Sequence, residues 1–114
     1  MREAVQMMKA LGDENRFRIF MILANKKMCV CELLQILDIA GSTLSAHLKV
    51  LKTAGLIEQK KDGRWIEYGI SSDNKRVFEL YSLLFESITV DDSQLKADLM
   101  FASTLTRESC AAKL

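Results

Sequence analysis

Gly41-Ser42-Thr43-Leu44-Ser45-Ala46-His47-Leu48-Lys49-Val50-Leu51-Lys52-Thr53-Ala54-Gly55, followed at once by Leu56-Ile57-Glu58-Gln59-Lys60-Lys61-Asp62-Gly63-Arg64-Trp65-Ile66-Glu67-Tyr68-Gly69-Ile70, is the stretch on which the fold turns. In its first half Leu44, Leu48 and Leu51 recur at helical spacing with Val50 on the flank, while Ser45, His47, Lys49 and Lys52 fall on the outward face. Gly55 stands where a left-handed residue closes a helix. In the second half the period drops to two. Residues 56–60 and 65–70 read as strands, and Asp62-Gly63 between them suits a type I′ turn.

Upstream, Glu32-Leu33-Leu34-Gln35-Ile36-Leu37-Asp38 predicts a short helix broken at Ile39-Ala40-Gly41. Two short helices joined by a tight turn can present the second to the DNA major groove, and a hairpin with a basic tip beside it is a wing. Further upstream, Ala4, Met7, Met8 and Leu11 predict a short amphipathic helix stopped at Gly12. Asp13 can cap a second, largely buried helix that carries Phe17, Phe20, Met21 and Leu23 and runs to Asn25.

Downstream, Val77, Leu80, Tyr81, Leu84 and Ile88 form a helical stripe capped by Ser72 or Asp73. Another helical pattern runs from Asp92 or Ser93 to about Glu108 with Leu95, Leu99, Ala102 and Leu105, and Cys110 lies just beyond it. A wing domain of some sixty residues cannot cover the apolar faces of all these terminal helices. Large uncovered apolar surface means a partner, and a two-fold homodimer also supplies the symmetry that a palindromic site demands. The expected architecture is therefore a single domain over 1–114, mainly α (α+β), a winged helix-turn-helix with N- and C-terminal dimerisation helices.

The chain has 114 residues, 49% of them hydrophobic, which suits one modest core. The N-terminal residues carry charges at Arg2, Glu3 and Lys9 and form no signal-peptide or membrane-spanning run, so a cytoplasmic protein with no membrane partner is expected. A formal net charge of +1 does not announce nucleic acid. Between Gly41 and Arg64, however, Lys49, Lys52, Lys60, Lys61 and Arg64 outnumber Glu58 and Asp62 by three. Cation excess and helix-turn-helix pattern coincide only there.

Three cysteines, two of them separated by one residue, do not make the disulfide framework of a secreted domain. Cys29-Val30-Cys31 lacks the two intervening residues of a thioredoxin-like redox pair, and neither thiol has a histidine or carboxylate partner in sequence that would mark a nucleophilic enzyme. Soft thiolates select soft ions. Cys29 and Cys31 could grip one ion from an extended stretch or by distorting the first helical turn, and Lys26, Lys27 and a helix N-terminus are expected to favour the thiolate form. Both remain two small buried hydrophobes if no ion is bound.

Leu11-Gly12-Asp13-Glu14-Asn15-Arg16-Phe17-Arg18-Ile19, Cys29-Val30-Cys31-Glu32-Leu33, the run from Ser42 to Leu51, Ala54-Gly55-Leu56-Ile57 and Asp62-Gly63-Arg64-Trp65 together resemble the ArsR/SmtB metalloregulatory repressors, over about residues 4–88. The resemblance implies a homodimeric winged-helix repressor of a resistance operon, bound to double-stranded operator DNA until an inducer arrives. It implies that Ser42, Thr43, Ser45 and His47 face bases or phosphates, with Lys49 and Lys52 nearer the backbone and Lys60, Lys61 and Arg64 adding phosphate contacts from the wing. It further implies arsenite or antimonite as inducer, held by cysteine sulfur.

The chain departs from the family pattern at Gly41, often glutamine, at Ala46, often arginine, and at Leu34, where the arsenic-responsive branch commonly carries its third cysteine. Cys110 is then the candidate third ligand, from its own tail or from the dimer mate, with a small cellular thiol as the alternative. Histidine-dependent zinc sensing at a C-terminal helix is absent, since His47 is the sole histidine. Two other readings stand beside this one: a thiol-based repressor sensing cadmium, lead, organoarsenicals or oxidants, and a cytosolic metal or metalloid carrier.

Overall fold

A computed structural model describes residues 1–88 and 92–112, with side chains for 1–87 and 92–110. The chain runs α1 (Arg2–Leu11), α2 (Glu14–Asn25), α3 (Val30–Ile36), α4 (Gly41–Thr53), β1 (Ile57–Asp62), β2 (Trp65–Ile70), α5 (Lys75–Ile88), α6 (Ser93–Thr104) and α7 (Arg107–Ala112). The sheet is the two-stranded antiparallel hairpin, registered from Ile57 opposite Ile70 to Asp62 opposite Trp65. This is a winged helix-turn-helix with α3 and α4 as the two short helices.

Local chemistry explains most boundaries. The Asp13 carboxylate accepts the Arg16 backbone N–H at 3.0 Å, which caps α2 and holds that carboxyl below its ordinary pKa. Gly55, at φ +80°, ends α4: its N–H donates to the Lys52 carbonyl and the Leu56 N–H to the Leu51 carbonyl. Only a left-handed residue allows that pair of bonds, and it buries Leu56 against Leu51.

The turn, the α5 cap and the C-terminal helix differ from expectation. Because Asp62 pairs with Trp65, the hairpin turn centres on Gly63-Arg64, one residue later than expected. Gly63 has φ +62° and no described non-glycine residue has positive φ, so the turn has the type II′ pattern rather than I′. Helix α5 is capped by Asn74, whose Oδ1 accepts the Arg76 N–H at 3.0 Å, and not by Ser72 or Asp73. The single C-terminal helix expected to about Glu108 is two helices broken at Leu105-Thr106, so Cys110 lies inside α7. Ile88, assigned to the α5 stripe, lies outside the described side chains.

Helix α2 is the centre of the core: Ile19 to Leu23 are all buried, against Leu33 of α3, Leu44, Leu48 and Leu51 of α4, Leu56 and, from α5, Val77. Helix α6 folds back on α2 and α3 through Leu95 and Ala102, while Met100 and Phe101 on its other side stay exposed. A bidentate pair locks it in place, Arg18 Nε and Nη2 donating to Asp98 at 2.8 and 3.0 Å. Asp98 is 3% exposed and Arg18 17%. Removing the carboxylate strands a mostly covered guanidinium, so Asp98→Ala should cost about 3 kcal/mol in a urea-melt comparison with the wild type. A loss well under about 1 kcal/mol would mean that α6 is held by its apolar face alone.

Outside the core, Val5 and Met8 of α1 and Phe78 and Leu83 of α5 are exposed, and Phe78, Tyr81 and Phe85 form a ladder of rings with centroids 6.2 and 5.6 Å apart. No helix among the described residues is long and apolar enough to cross a membrane.

Candidate functional site

Two groups of side chains stand out around the helix-turn-helix. The first is the outward face of α4 with the wing. Burying Leu44, Leu48 and Leu51 forces Ser42, Thr43, Ser45, Lys49 and Lys52 to the exposed side of the same helix. Ser45, Lys49 and Lys52 share an open cleft with Gln59 and Tyr68 of the wing, so helix and hairpin present one continuous polar face. Lys60, Lys61 and Arg64 are exposed at the wing tip, where the Arg64 guanidinium lies 4.9 Å from the centre of the Trp65 ring. Gln59 and Tyr68 were missed as members of this face because strand alternation alone does not say which side meets α4.

His47 does not join them. Its side chain is only 14% exposed and turns back on the start of α2, Nδ1 lying 3.3 Å from Arg16 Nη1 and Nε2 4.0 Å from Asp13 Oδ1. Arg16 in turn donates to the Ala10 carbonyl at 2.7 Å at the end of α1. The histidine assigned to bases or phosphates is therefore a joint between α4, α1 and α2. A helical position halfway between the buried and exposed stripes gave no signal of which neighbour would claim it.

The second group is the thiols. Cys29 is the N-cap of α3 in extended conformation and 4% exposed; its N–H donates to the Glu32 carboxylate at 3.1 Å, and its sulfur faces the Glu32 N–H in a capping-box arrangement. Cys31 is two residues further, half-buried in the first turn of α3. The pair thus straddles the helix start, Cys29 in the extended segment that leads into α3 and Cys31 in its first turn. Helix α7 packs on α3 and buries Cys110, 1% exposed, on the side of the molecule that carries Cys31 of the same chain. All three are free thiols.

Burial sets their protonation. It pushes the Cys29 thiol above its ordinary value, and burial together with the Cys31 thiol pushes Cys110 up to about 12. Lys26 and Lys27 do not offset this as expected. Lys26 Nζ donates to the carbonyls of Ala102 and Leu105 at 2.9 and 2.5 Å, and the Lys27 methylenes cover Gly69. Cys29 and Cys110 are therefore thiols at neutral pH. Among the described residues no three His, Cys, Asp or Glu side chains are close enough to hold a metal ion as they stand. The sulfurs are neighbours that must close to share one ion.

The thiol group also touches the wing. Met28, immediately before Cys29, exchanges two backbone hydrogen bonds with Tyr68 of β2, at 2.9 and 2.8 Å. From the other side Arg107 of α7 reaches the wing tip, donating to Asp62 at 2.7 Å. No pattern in the sequence flagged Arg107, since its partner is forty-five positions away.

Comparison with known proteins agrees with this geometry. Residues 13–59 match the family described as bacterial regulatory protein, arsR family. An HTH-type transcriptional regulator of Methanocaldococcus jannaschii is 40% identical over 85 residues, 74% of this chain and 93% of its own length. An arsenical resistance operon repressor of Bacillus subtilis is 36% identical over 89 residues, 77% of this chain and 80% of its own; a cadmium resistance regulator of Listeria innocua, 37% identical, matches 66% and 62%. Among solved structures, the homodimeric winged helix-turn-helix DNA-binding domain of a possible ArsR-family regulator from Mycobacterium bovis superposes with a TM-score of 0.68 at 26% identity, covering 79% of this chain and 82% of that one. A recognition helix, a basic wing and matches along most of the chain thus converge: this protein belongs to the arsR family of winged-helix transcriptional repressors, a family of DNA-binding regulators rather than a class of enzymes.

Proposed function

We propose that this chain represses a metalloid-resistance operon as a homodimer on double-stranded operator DNA, and that arsenite or antimonite releases it by bonding to Cys29, Cys31 and Cys110 of one subunit. The observation that carries the reading is the packing of α7 on α3 with Cys110 buried between them, which offers a third sulfur although Leu34 occupies the usual position. Three sulfurs suit the trigonal preference of As(III). The exposed α1 and α5 side chains Val5, Met8, Phe78 and Leu83 are the proposed dimer surface. Ser42, Thr43, Ser45, Lys49 and Lys52 would lie along the major groove, and Lys60, Lys61 and Arg64 against phosphates.

The bonding step is balanced without an oxidant. Neutral arsenous acid exchanges each As–O bond for an As–S bond, and each departing hydroxide leaves as water with the proton of one thiol. Ligation needs the sulfurs to close, so an ion bound there disfavours the arrangement of α3 and α7 that the repressor uses. A coupling of about 1–3 kcal/mol is typical for such linked sites and suffices to clear an operator.

The raised thiol pKa values separate arsenite from a divalent ion. Burial holds Cys29 and Cys110 in the thiol form at neutral pH, and arsenous acid consumes the protons it displaces as water, so its apparent affinity is expected to vary by less than about threefold between pH 6.5 and 8. Cadmium displaces protons into solution, so its affinity should rise with pH by about tenfold per unit for each thiol that ionises. The test is operator release titrated with both ions at the two pH values. Release by cadmium at far lower concentration than arsenite at both pH values would replace the metalloid by a soft divalent metal, the reading that the cadmium-resistance relative favours.

A further inference from the structure

The six residues of α7 carry two side chains with opposite destinations. Cys110 is buried against α3, the helix of Cys31, whereas Arg107, one turn earlier, reaches the wing. Its Nη2 donates to Asp62 Oδ2 at 2.7 Å, its Nη1 lies 3.7 Å from Glu67 Oε2, and its guanidinium stands 5.7 Å from the centre of the Trp65 ring. Asp62 and Glu67 are the acidic residues of the wing tip and its second strand; Lys60, Lys61 and Arg64 are the cations around them. While Arg107 is docked, the Asp62 carboxylate faces a fixed positive charge and the tip presents a cationic surface. Were Arg107 drawn away, Asp62 would stand unpaired among the groups that face phosphate.

We infer that α7 is a strap between the thiol cluster and the wing, in which Arg107 is a positioning residue that transmits closure of Cys110 onto the inducer into a change in the wing's hold on DNA. The inference rests on Cys110 being a ligand. Because Cys29, Cys31 and Cys110 do not yet form a ligand set, binding one ion must move sulfur atoms. Cys29 is tied through Met28 to β2 and Cys31 is built into α3, whereas Cys110 lies on the six-residue α7, joined to α6 through Leu105-Thr106. Closure of the three sulfurs then draws α7 toward α3, and Arg107 moves with it. Asp62 and Glu67 then repel the phosphates that the neighbouring lysines attract.

The test uses the full chain and three variants, Arg107→Ala, Arg107→Lys and Asp62→Asn, with arsenite binding read by the near-ultraviolet absorption of sulfur–arsenic bonds and operator affinity read with and without arsenite. All three should bind arsenite at wild-type stoichiometry. Without inducer, Arg107→Ala should bind operator several-fold more weakly, because Asp62 is uncovered, whereas Asp62→Asn should bind at least as tightly as the wild type. Yet both should lose most of the ratio between the two affinities, from a value in the range of about 5–150-fold typical of coupled sites to about twofold. Arg107→Lys, which keeps the charge but not the two-pronged contact, should fall between. A merely structural or merely electrostatic Arg107 would not reduce the ratio in both Arg107→Ala and Asp62→Asn. Arsenite-bound variants that release operator by the wild-type factor would overturn the strap and leave the thiol assignment intact. A wild type that shows no sulfur–arsenic absorption would overturn the assignment beneath it.

Discussion

Cys31→Ser is expected to remain a repressor that arsenite no longer releases. The residue is half-buried on α3, away from the exposed face of α4, so operator affinity without inducer should stay within about twofold of the wild type. A serine oxygen is a poor ligand for a soft ion, and two remaining sulfurs lose the third bond and the chelation it provides. The arsenite concentration for half-release should rise by about 100-fold or more, in a fluorescence-anisotropy titration of protein on labelled operator. Cys29→Ser should behave alike for the same reason. It tests the site cleanly because serine is a better helix N-cap than cysteine, so α3 should start at the same place. At position 110 alanine is the better probe: the side chain is 1% exposed, and a serine hydroxyl buried there without a partner would cost about 1–3 kcal/mol of stability. Cys110→Ala released at wild-type arsenite concentrations would leave a two-sulfur site; normal release of both Cys29→Ser and Cys31→Ser would move the inducer elsewhere.

Replacing Lys60, Lys61 and Arg64 together by alanine should weaken operator binding on the order of 1000-fold at about 0.1 M salt and flatten its salt dependence. Each contact between a cation and phosphate contributes about −0.9 to the slope of log affinity against log salt. Three such residues on each of two wings in a dimer would therefore lower the magnitude of the slope by about 5. All three side chains are exposed and make no core contact, so the fold should survive, which circular dichroism checks directly. Inducer affinity should be unchanged in the absence of DNA, since none of the three side chains bonds to a cysteine or to α7. A slope equal to that of the wild type would mean that the wing does not lie along the phosphate backbone. Binding would then depend on α4 alone, and Lys49 and Lys52 would be the next residues to remove.

How much of this was legible beforehand depends on the range of the interaction involved. The 44, 48, 51 stripe, the glycine at 55 and the change of period at 56 fall within windows of a few residues, and the helix, its left-handed stop and the hairpin follow them. The Asp13 cap is equally local. Errors arose where two local solutions compete: Asn74 rather than Ser72 or Asp73 at the start of α5, and Gly63-Arg64 rather than Asp62-Gly63 in the turn. In each case strand pairing or helix packing selected among residues with nearly equal cap or turn preference.

The chain of amino acids alone determined the winged helix, the exposed cations of α4 and the wing, and the presence of a close cysteine pair, because helix and strand periodicity and i, i+2 spacing are properties of neighbouring residues. Tertiary structure decided that His47 turns inward to Arg16, that burial keeps Cys29 and Cys110 protonated, and that α7 folds back to bury Cys110 against α3 and set Arg107 on Asp62. Those outcomes depend on which surfaces exclude water and on contacts between residues dozens of positions apart. Neither desolvation nor such a contact leaves a repeat in the sequence.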